Sequence, residues 1–260
     1  MPALVRRLAA FALVVGAAAV PADAAETASH AIATDAGPLV IHPIEHATFV
    51  VEWDGRTIFV DPVGGAGRFA AFPAPDLILI THIHGDHMSA ETLEGVSTTD
   101  TPLVMPASVD EQLGEAVPGR RIVLANGESA ELGGVAIDAI PAYNTTEERL
   151  AFHPEGRDNG YVLILGGRRV YISGDTEDIP EMRALDNIDA ALVCMNLPYT
   201  MDVEQAASAV LEFKPREVLP YHSRGKDGMS DLARFRELVA ADPSITVTVL
   251  DWYGDSGSES

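Results

Sequence analysis

The stretch Thr81-His82-Ile83-His84-Gly85-Asp86-His87-Met88 gathers three of the chain's eight histidines and a carboxylate within six residues. The run Leu77-Ile78-Leu79-Ile80 leads directly into it, with Pro73 and Pro75 just upstream. A short, isoleucine-rich, uniformly apolar run bounded by turn residues reads as a strand buried on both faces. The histidines then sit at a strand exit, where a rigid sheet can aim several side chains at one point. Imidazole and carboxylate together suit zinc, manganese or iron.

The His-x-His-x-Asp-His spacing resembles the signature of the metallo-β-lactamase-fold superfamily. The wider pattern looks most like the branch that includes ascorbate-6-phosphate lactonase and many metal-dependent hydrolases, and the similarity runs from about Leu39 to about Trp252. The resemblance implies an α/β protein, a four-layer αβ/βα sandwich with two mixed β-sheets face to face, helices outside, and a metal site in the groove between the halves. It also implies roles for single residues. His82 and His84 would hold a first metal, and Asp86, His87 and His222 a second. Asp175, in Gly174-Asp175-Thr176, would bridge the two. His46, in Glu45-His46-Ala47-Thr48, would lie near the site without ligating, and Asp61 would orient a ligand histidine.

One position departs from that pattern. Many relatives carry a histidine where this chain has Asn144, in Pro141-Ala142-Tyr143-Asn144. An amide oxygen is a weak ligand for zinc, so the first site is either looser or completed by another group. His153, in Phe152-His153-Pro154, is the candidate: it could swing in as a ligand, contact substrate, or donate a proton. Asp86, Asn144 and His153 are therefore the candidate catalytic residues beside the six candidate ligands.

The pattern of elements agrees with such a sandwich. Ala47 to Trp53 and Arg56 to Val60 flank Asp54-Gly55, a favoured two-residue hairpin turn. Further strands are expected at Leu39–Ile41, Leu103–Met105, Ile122–Leu124, Val135–Ile140, Tyr161–Leu165, Arg169–Ser173, Ala190–Met195, Val218–Leu219 and Ile245–Leu250. Val203, Ala206, Ala207, Val210 and Leu211 fall on one helical face, with Asp202 as the cap. Short helices are expected at Ala90–Leu93 and at Val109–Leu113, the latter capped by Ser108, and a longer one is marked by Leu232, Phe235 and Val239. Gly64-Gly65-Ala66-Gly67 lacks the Lys-Ser/Thr of a phosphate-cradling loop and reads as a flexible turn.

The 260 residues suit one domain, expected over residues 38–253, with a polar tail at 254–260. Arg6 and Arg7, the apolar run Leu8 to Val20 and Ala22-Asp23-Ala24 compose a cleavable signal peptide over residues 1–24, followed by a disordered leader over 25–37. An uncleaved anchor is the alternative. Export places the mature chain in the periplasm or outside the cell, free of the membrane. The single cysteine, Cys194, forbids an intramolecular disulfide and lies in an apolar run, as a buried strand residue would.

A net charge of −22 with only two lysines, Lys214 and Lys226, argues against binding nucleic acid phosphates. The expected partner is a small-molecule substrate; oligomeric state is not legible. The leading expectation is an exported metal-dependent hydrolase in which hydroxide held by two divalent ions, zinc foremost, attacks an ester, lactone, amide or phosphodiester. A β-lactamase is the alternative within that class. A metal- or ligand-binding protein of the same fold without turnover is the alternative outside it.

Overall fold

A computed structural model describes residues 28–254; the expected signal peptide and the polar tail beyond Gly254 lie outside the described residues. The first sheet runs in sequence order: β1 (His30–Thr34), β2 (Gly37–Glu45), β3 (Thr48–Trp53), β4 (Arg56–Val60), β5 (Leu77–Leu79), β6 (Pro102–Met105) and β7 (Arg120–Val123). Its first four strands form an antiparallel meander, and β4 to β7 are parallel. The second sheet repeats the plan. It contains β8 (Ser129–Leu132), β9 (Val135–Ala142), β10 (Asp158–Leu165), β11 (Arg168–Ile172), β12 (Ala190–Cys194) and β13 (Glu217–Tyr221), with β16 (Thr246–Val247) at its edge. There β8 to β11 are antiparallel and β11, β12, β13 and β16 parallel. A small ribbon of β14 (Arg224–Gly225) and β15 (Gly228–Met229) follows β13.

Strand alternation explains the layering. In β3, Phe49, Val51 and Trp53 join the core between the sheets, while Val50 points the other way. In β4 and β5, Ile58, Val60, Leu77 and Leu79 face inward, and Phe59, Ile78 and Ile80 face outward. The outward set is covered by α1 (Ala90–Val96) and α2 (Ala107–Leu113), which contribute Leu93, Val109 and Leu113. The run Leu77–Ile80 is thus buried on both faces, as its composition requires.

On the second sheet, α3 (Pro180–Arg183), α4 (Val203–Phe213) and α5 (Leu232–Val239) supply the cover. Asp202 caps α4 through a capping box with Gln205, and Val203, Ala206, Ala207 and Val210 are buried on one stripe. Phe213 extends that stripe and meets Tyr171 edge-on, with ring centroids 6.1 Å apart. This is the αβ/βα sandwich that the resemblance implies. Cys194 is fully buried in β12, and burial pushes its thiol up to about 12.

Three local expectations are corrected. Residues 30–34 of the expected leader form β1, because the chain can add an antiparallel strand to β2, and His30 bonds Glu217 across the molecule at 2.9 Å. Ser108 does not cap α2. Pro106 stands at the cap, and the Ser108 hydroxyl donates to the Arg157 carbonyl, 3.0 Å away. The glycine turn tightens into a 3₁₀ helix at Ala66–Phe69, anchored by the buried Phe69. Among the described residues no helix is long and apolar enough to cross a membrane.

Candidate metal centre

The parallel strands of both sheets end at the same edge of the sandwich. In open α/β sheets, ligand sites form outside such carboxyl ends. Asp61 follows β4, His82 to His87 follow β5, Asp175 follows β11, and His222 follows β13. Several of these exits turn sharply. His46, Asp61 and His222 adopt φ of 56°, 47° and 45°. Non-glycine residues hold such conformations only where their surroundings over-determine them, at a cost of about 1–3 kcal/mol each. Gly174, at φ 62°, could not be replaced at low cost, because a Cβ there would stand 2.9 Å from the Asn159 carbonyl oxygen.

Three groups of ligand atoms converge: His82, His84 and His153; His46, Asp86 and His222; and His82, His87 and Asp175. In the first group, His82 Nε2 lies 3.1 Å from His84 Nδ1. Asp175 stands between the others. Its Oδ1 lies 3.5 Å from His87 Nε2 and 3.4 Å from His222 Nε2, and its Oδ2 lies 3.4 Å from His153 Nε2. Asp86 Oδ2 is 3.5 Å from His222 Nε2 and 3.6 Å from His46 Nε2. All six expected ligands therefore reach one cluster, and His153 and His46 join them.

These spacings fit a cation. Ligand atoms held tetrahedrally at about 2.0–2.1 Å from zinc stand about 3.3–3.4 Å from one another. Three buried atoms in the cluster, His87 Nε2, His153 Nε2 and Asp175 Oδ1, have no hydrogen-bond partner. Buried polar atoms without partners are rare in folded proteins and call for an explanation such as an ion.

The rings are aimed from behind. Asp61, fully buried, accepts from Thr81 N, Thr81 Oγ1 and His87 Nδ1, each at 2.7 Å. An ionised carboxylate only accepts, so His87 carries its proton on Nδ1 and presents a lone pair on Nε2. Thr81 gives its hydroxyl proton to Asp61 and accepts from His82 Nδ1, 3.0 Å away, which likewise frees His82 Nε2. His153 donates Nδ1–H to Asp158 at 3.2 Å, and Asp158 is held by Arg157. Asp61→Asn is expected to weaken metal affinity about 10–100-fold, the usual cost of losing a group that orients a ligand, while leaving the fold intact. Zinc competition titration of the variant checks it.

The electrostatics favour positive charge between the two carboxylates. Burial pushes Asp175 up, but His222 and His87 hold it well below the usual carboxylate range. Burial also opposes ionisation of Asp86, and hydrogen bonds from His222 and His46 outweigh it. Burial lowers His82 and His84, aided by their histidine neighbours, so both favour the neutral, ligating form. His153 and His222 lose to burial and gain more from facing carboxylates, Asp158 and Asp175 for the first and Asp175 and Asp86 for the second; each rises to about 9.

Asn144 stays out of the three groups. Its amide nitrogen donates to the Arg149 and Tyr199 carbonyls at 3.0 and 2.7 Å, so it pins the loop that carries His153. Glu177 pins the same loop, and sequence reasoning does not single it out. Its buried carboxylate accepts from Thr145, Thr146 and Arg149. Burial opposes its ionisation, but those bonds pull it down to about 2. Its only sequence signal is its place two residues after Asp175. His46 is tied to Tyr253, whose hydroxyl lies 3.0 Å from His46 Nδ1. A cavity of about 310 Å³ opens over His84, Asp86, His153 and Asp175, walled by Phe152, Asn196 and Tyr199.

Comparison with known proteins agrees with this architecture. The β-lactamase superfamily domain matches residues 40–222. A UPF0173 metal-dependent hydrolase of Thermococcus onnurineus is 35% identical over 185 residues, covering 68% of this chain and 81% of the relative. One from Pyrococcus abyssi is 30% identical over 212 residues, covering 78% and 92%. A crystal structure from Parabacteroides distasonis, described as a metal-dependent hydrolase, aligns with a TM-score of 0.77 at 38% identity, over 86% of this chain and 99% of that one. By sequence and by fold, the chain belongs to the UPF0173 metal-dependent hydrolases of the β-lactamase superfamily.

Proposed function

We propose that the protein is an exported hydrolase with two divalent ions, zinc in the first instance, that cleaves an ester, lactone, amide or phosphodiester of a small molecule. The observation that carries this reading is Asp175, whose two carboxylate oxygens face different imidazoles: His153 on one side, His87 and His222 on the other. On this reading His82, His84 and His153 would hold a first ion, Asp86, His87 and His222 a second, and Asp175 would serve both. When bound, such a pair acts as a Lewis acid and lowers the pKa of water to about 7.

The protein's own groups do the rest. Asp61 and Thr81 fix the rings of His87 and His82 so that no reorganisation is needed at the moment of reaction. The Asp86 side chain is 47% exposed, against 4% for Asp175, so it is the carboxylate more open to incoming water and substrate. Hydrogen-bonded by His222 and His46, which hold it ionised, it would present its negative charge to a bound ion and orient a water there by accepting a hydrogen bond. The alternative of a binding protein without turnover rests on Asn144; His153 beside His82 and His84 supports the hydrolase reading instead. Export rests on the basic and apolar segments before residue 25 and the Ala22-Asp23-Ala24 site.

Metal analysis and an activity screen test the reading together. Purified protein is expected to contain two equivalents of zinc. Chelation is expected to abolish hydrolysis of at least one member of a panel of aryl esters, lactones, phosphodiesters and a chromogenic cephalosporin, and zinc, manganese or iron to restore it. Fewer than one tightly bound transition metal per chain would sink the proposal. Turnover of the cephalosporin alone would instead assign a β-lactamase. N-terminal sequencing of the mature protein, expected to begin near residue 25, tests export.

A further inference from the structure

The cavity over the candidate metal centre carries a charge pattern that narrows its substrate. Among the described residues no lysine or arginine lines it; the walls beyond the candidate ligands are Phe152, Asn196 and Tyr199. The two aromatic rings meet edge to face with centroids 5.1 Å apart, fixing each other at the mouth. The nearest loop arginines are committed elsewhere. Arg149 Nη1 is taken by Glu177, by the Thr200 carbonyl and by Gln205 at 2.5, 2.9 and 3.0 Å. Arg157 makes a two-point contact with Asp158 at 2.7 and 2.8 Å and also donates to the Phe152 carbonyl.

The exposed side chains on the segments flanking the wall are mixed: Glu147, Glu148 and Glu155 share the loop of Phe152, and Arg224, Lys226 and Asp227 lie on the β14–β15 ribbon or its turn. Among the described residues only four large hydrophobic side chains are exposed: Val123, Leu150, Leu197 and Met229. Leu150 and Leu197 each stand two residues from a wall aromatic. Met229 lies on the β14–β15 ribbon, whose Gly225 packs directly on the Leu197 backbone.

Building on the hydrolase reading above, we infer that the part of the substrate beyond the bond to be cleaved is an uncharged apolar group, seated on Phe152 and Tyr199. The ions bear the charge of the reacting group itself. A carboxylate or phosphate elsewhere on the substrate would enter a wall with no cation to pair it and would lose its hydration without return. The field of a chain with net charge −22 adds to that exclusion.

Hydroxamates test this whatever the scissile bond, since the metal-binding group is constant and only the tail varies. Calorimetric titration of the zinc-loaded protein with acetohydroxamate, benzohydroxamate and 4-carboxybenzohydroxamate is expected to show benzohydroxamate binding at least tenfold more tightly than its carboxylated form. Phe152→Ala and Tyr199→Ala are each expected to weaken benzohydroxamate about tenfold and to leave acetohydroxamate within twofold, with Phe152→Leu intermediate. Equal or tighter binding of the carboxylated compound overturns the inference while leaving the metal centre standing, and that comparison needs only the unaltered protein. Loss of benzohydroxamate selectivity in neither aromatic variant also overturns it. Failure of all three hydroxamates to bind, with no zinc retained, overturns the hydrolase reading itself and this inference with it.

Discussion

Asp175→Ala is expected to lower turnover by about 10³-fold or more and to cut the zinc content by at least one equivalent. The magnitude follows from what the carboxylate does. Its two oxygens face imidazoles of both proposed sites at 3.4 to 3.5 Å, so no other side chain can replace it at either. Losing about 4 kcal/mol of transition-state stabilisation, within what a correctly held ion pair supplies, corresponds to a factor of about a thousand. Asp175→Asn separates charge from shape. It keeps the volume, can still accept at one oxygen, and lacks the negative charge that faces His87, His153 and His222. It is expected to retain the fold with most of the same loss. Metal analysis and steady-state kinetics on both variants decide it; an Asp175→Asn enzyme with full activity and two zinc equivalents would contradict the bridging role.

The second large effect is expected at His153. His153→Ala should remove one equivalent of zinc and lower activity on the order of a hundredfold or more, because the first site would keep only His82, His84 and the shared Asp175. Asn144→Ala should behave differently. Its amide serves the Arg149 and Tyr199 carbonyls, so its loss is expected to cost about 1–3 kcal/mol of stability, with the zinc count unchanged. Thermal melts and metal analysis, run side by side, separate the two. An Asn144→Ala protein that loses zinc while His153→Ala keeps it would reverse the assignment.

That pair also shows where the sequence is readable. The buried β5 run, the Asp54-Gly55 hairpin and the capped stripe of α4 are legible because each is a local pattern: uniform apolarity, a turn dipeptide, a helical period. The candidate ligands His82, His84, Asp86 and His87 are legible for the same reason, as four groups within six residues. His153 offers only a choice of roles, because it sits in a loop with no period. Its position is decided by Asp158 behind its ring, five residues on, and by the long-range bonds of Glu177 and Asn144 that hold the loop. Glu177 is invisible for the converse reason, since all its partners lie about thirty residues upstream. The strand β1 escapes a sequence reading because a small, polar segment carries little alternation; it forms because β2 offers an open edge.

The candidate ligand side chains come from both sheets: His82, His84, Asp86 and His87 from the exit of β5, and His153, Asp175 and His222 from the second half of the chain. Between them the seam is stitched by Asn159 N donating to the Thr81 carbonyl at 3.0 Å and by the Tyr161 hydroxyl donating to the Ile80 carbonyl at 2.9 Å. On the proposed ligand set, cation affinity and the mutual grip of the two lobes would be a single linked equilibrium. Withdrawing bound ions is then expected to loosen the lobes, and prying the lobes apart, even by a lesion remote from every imidazole, to release the ions.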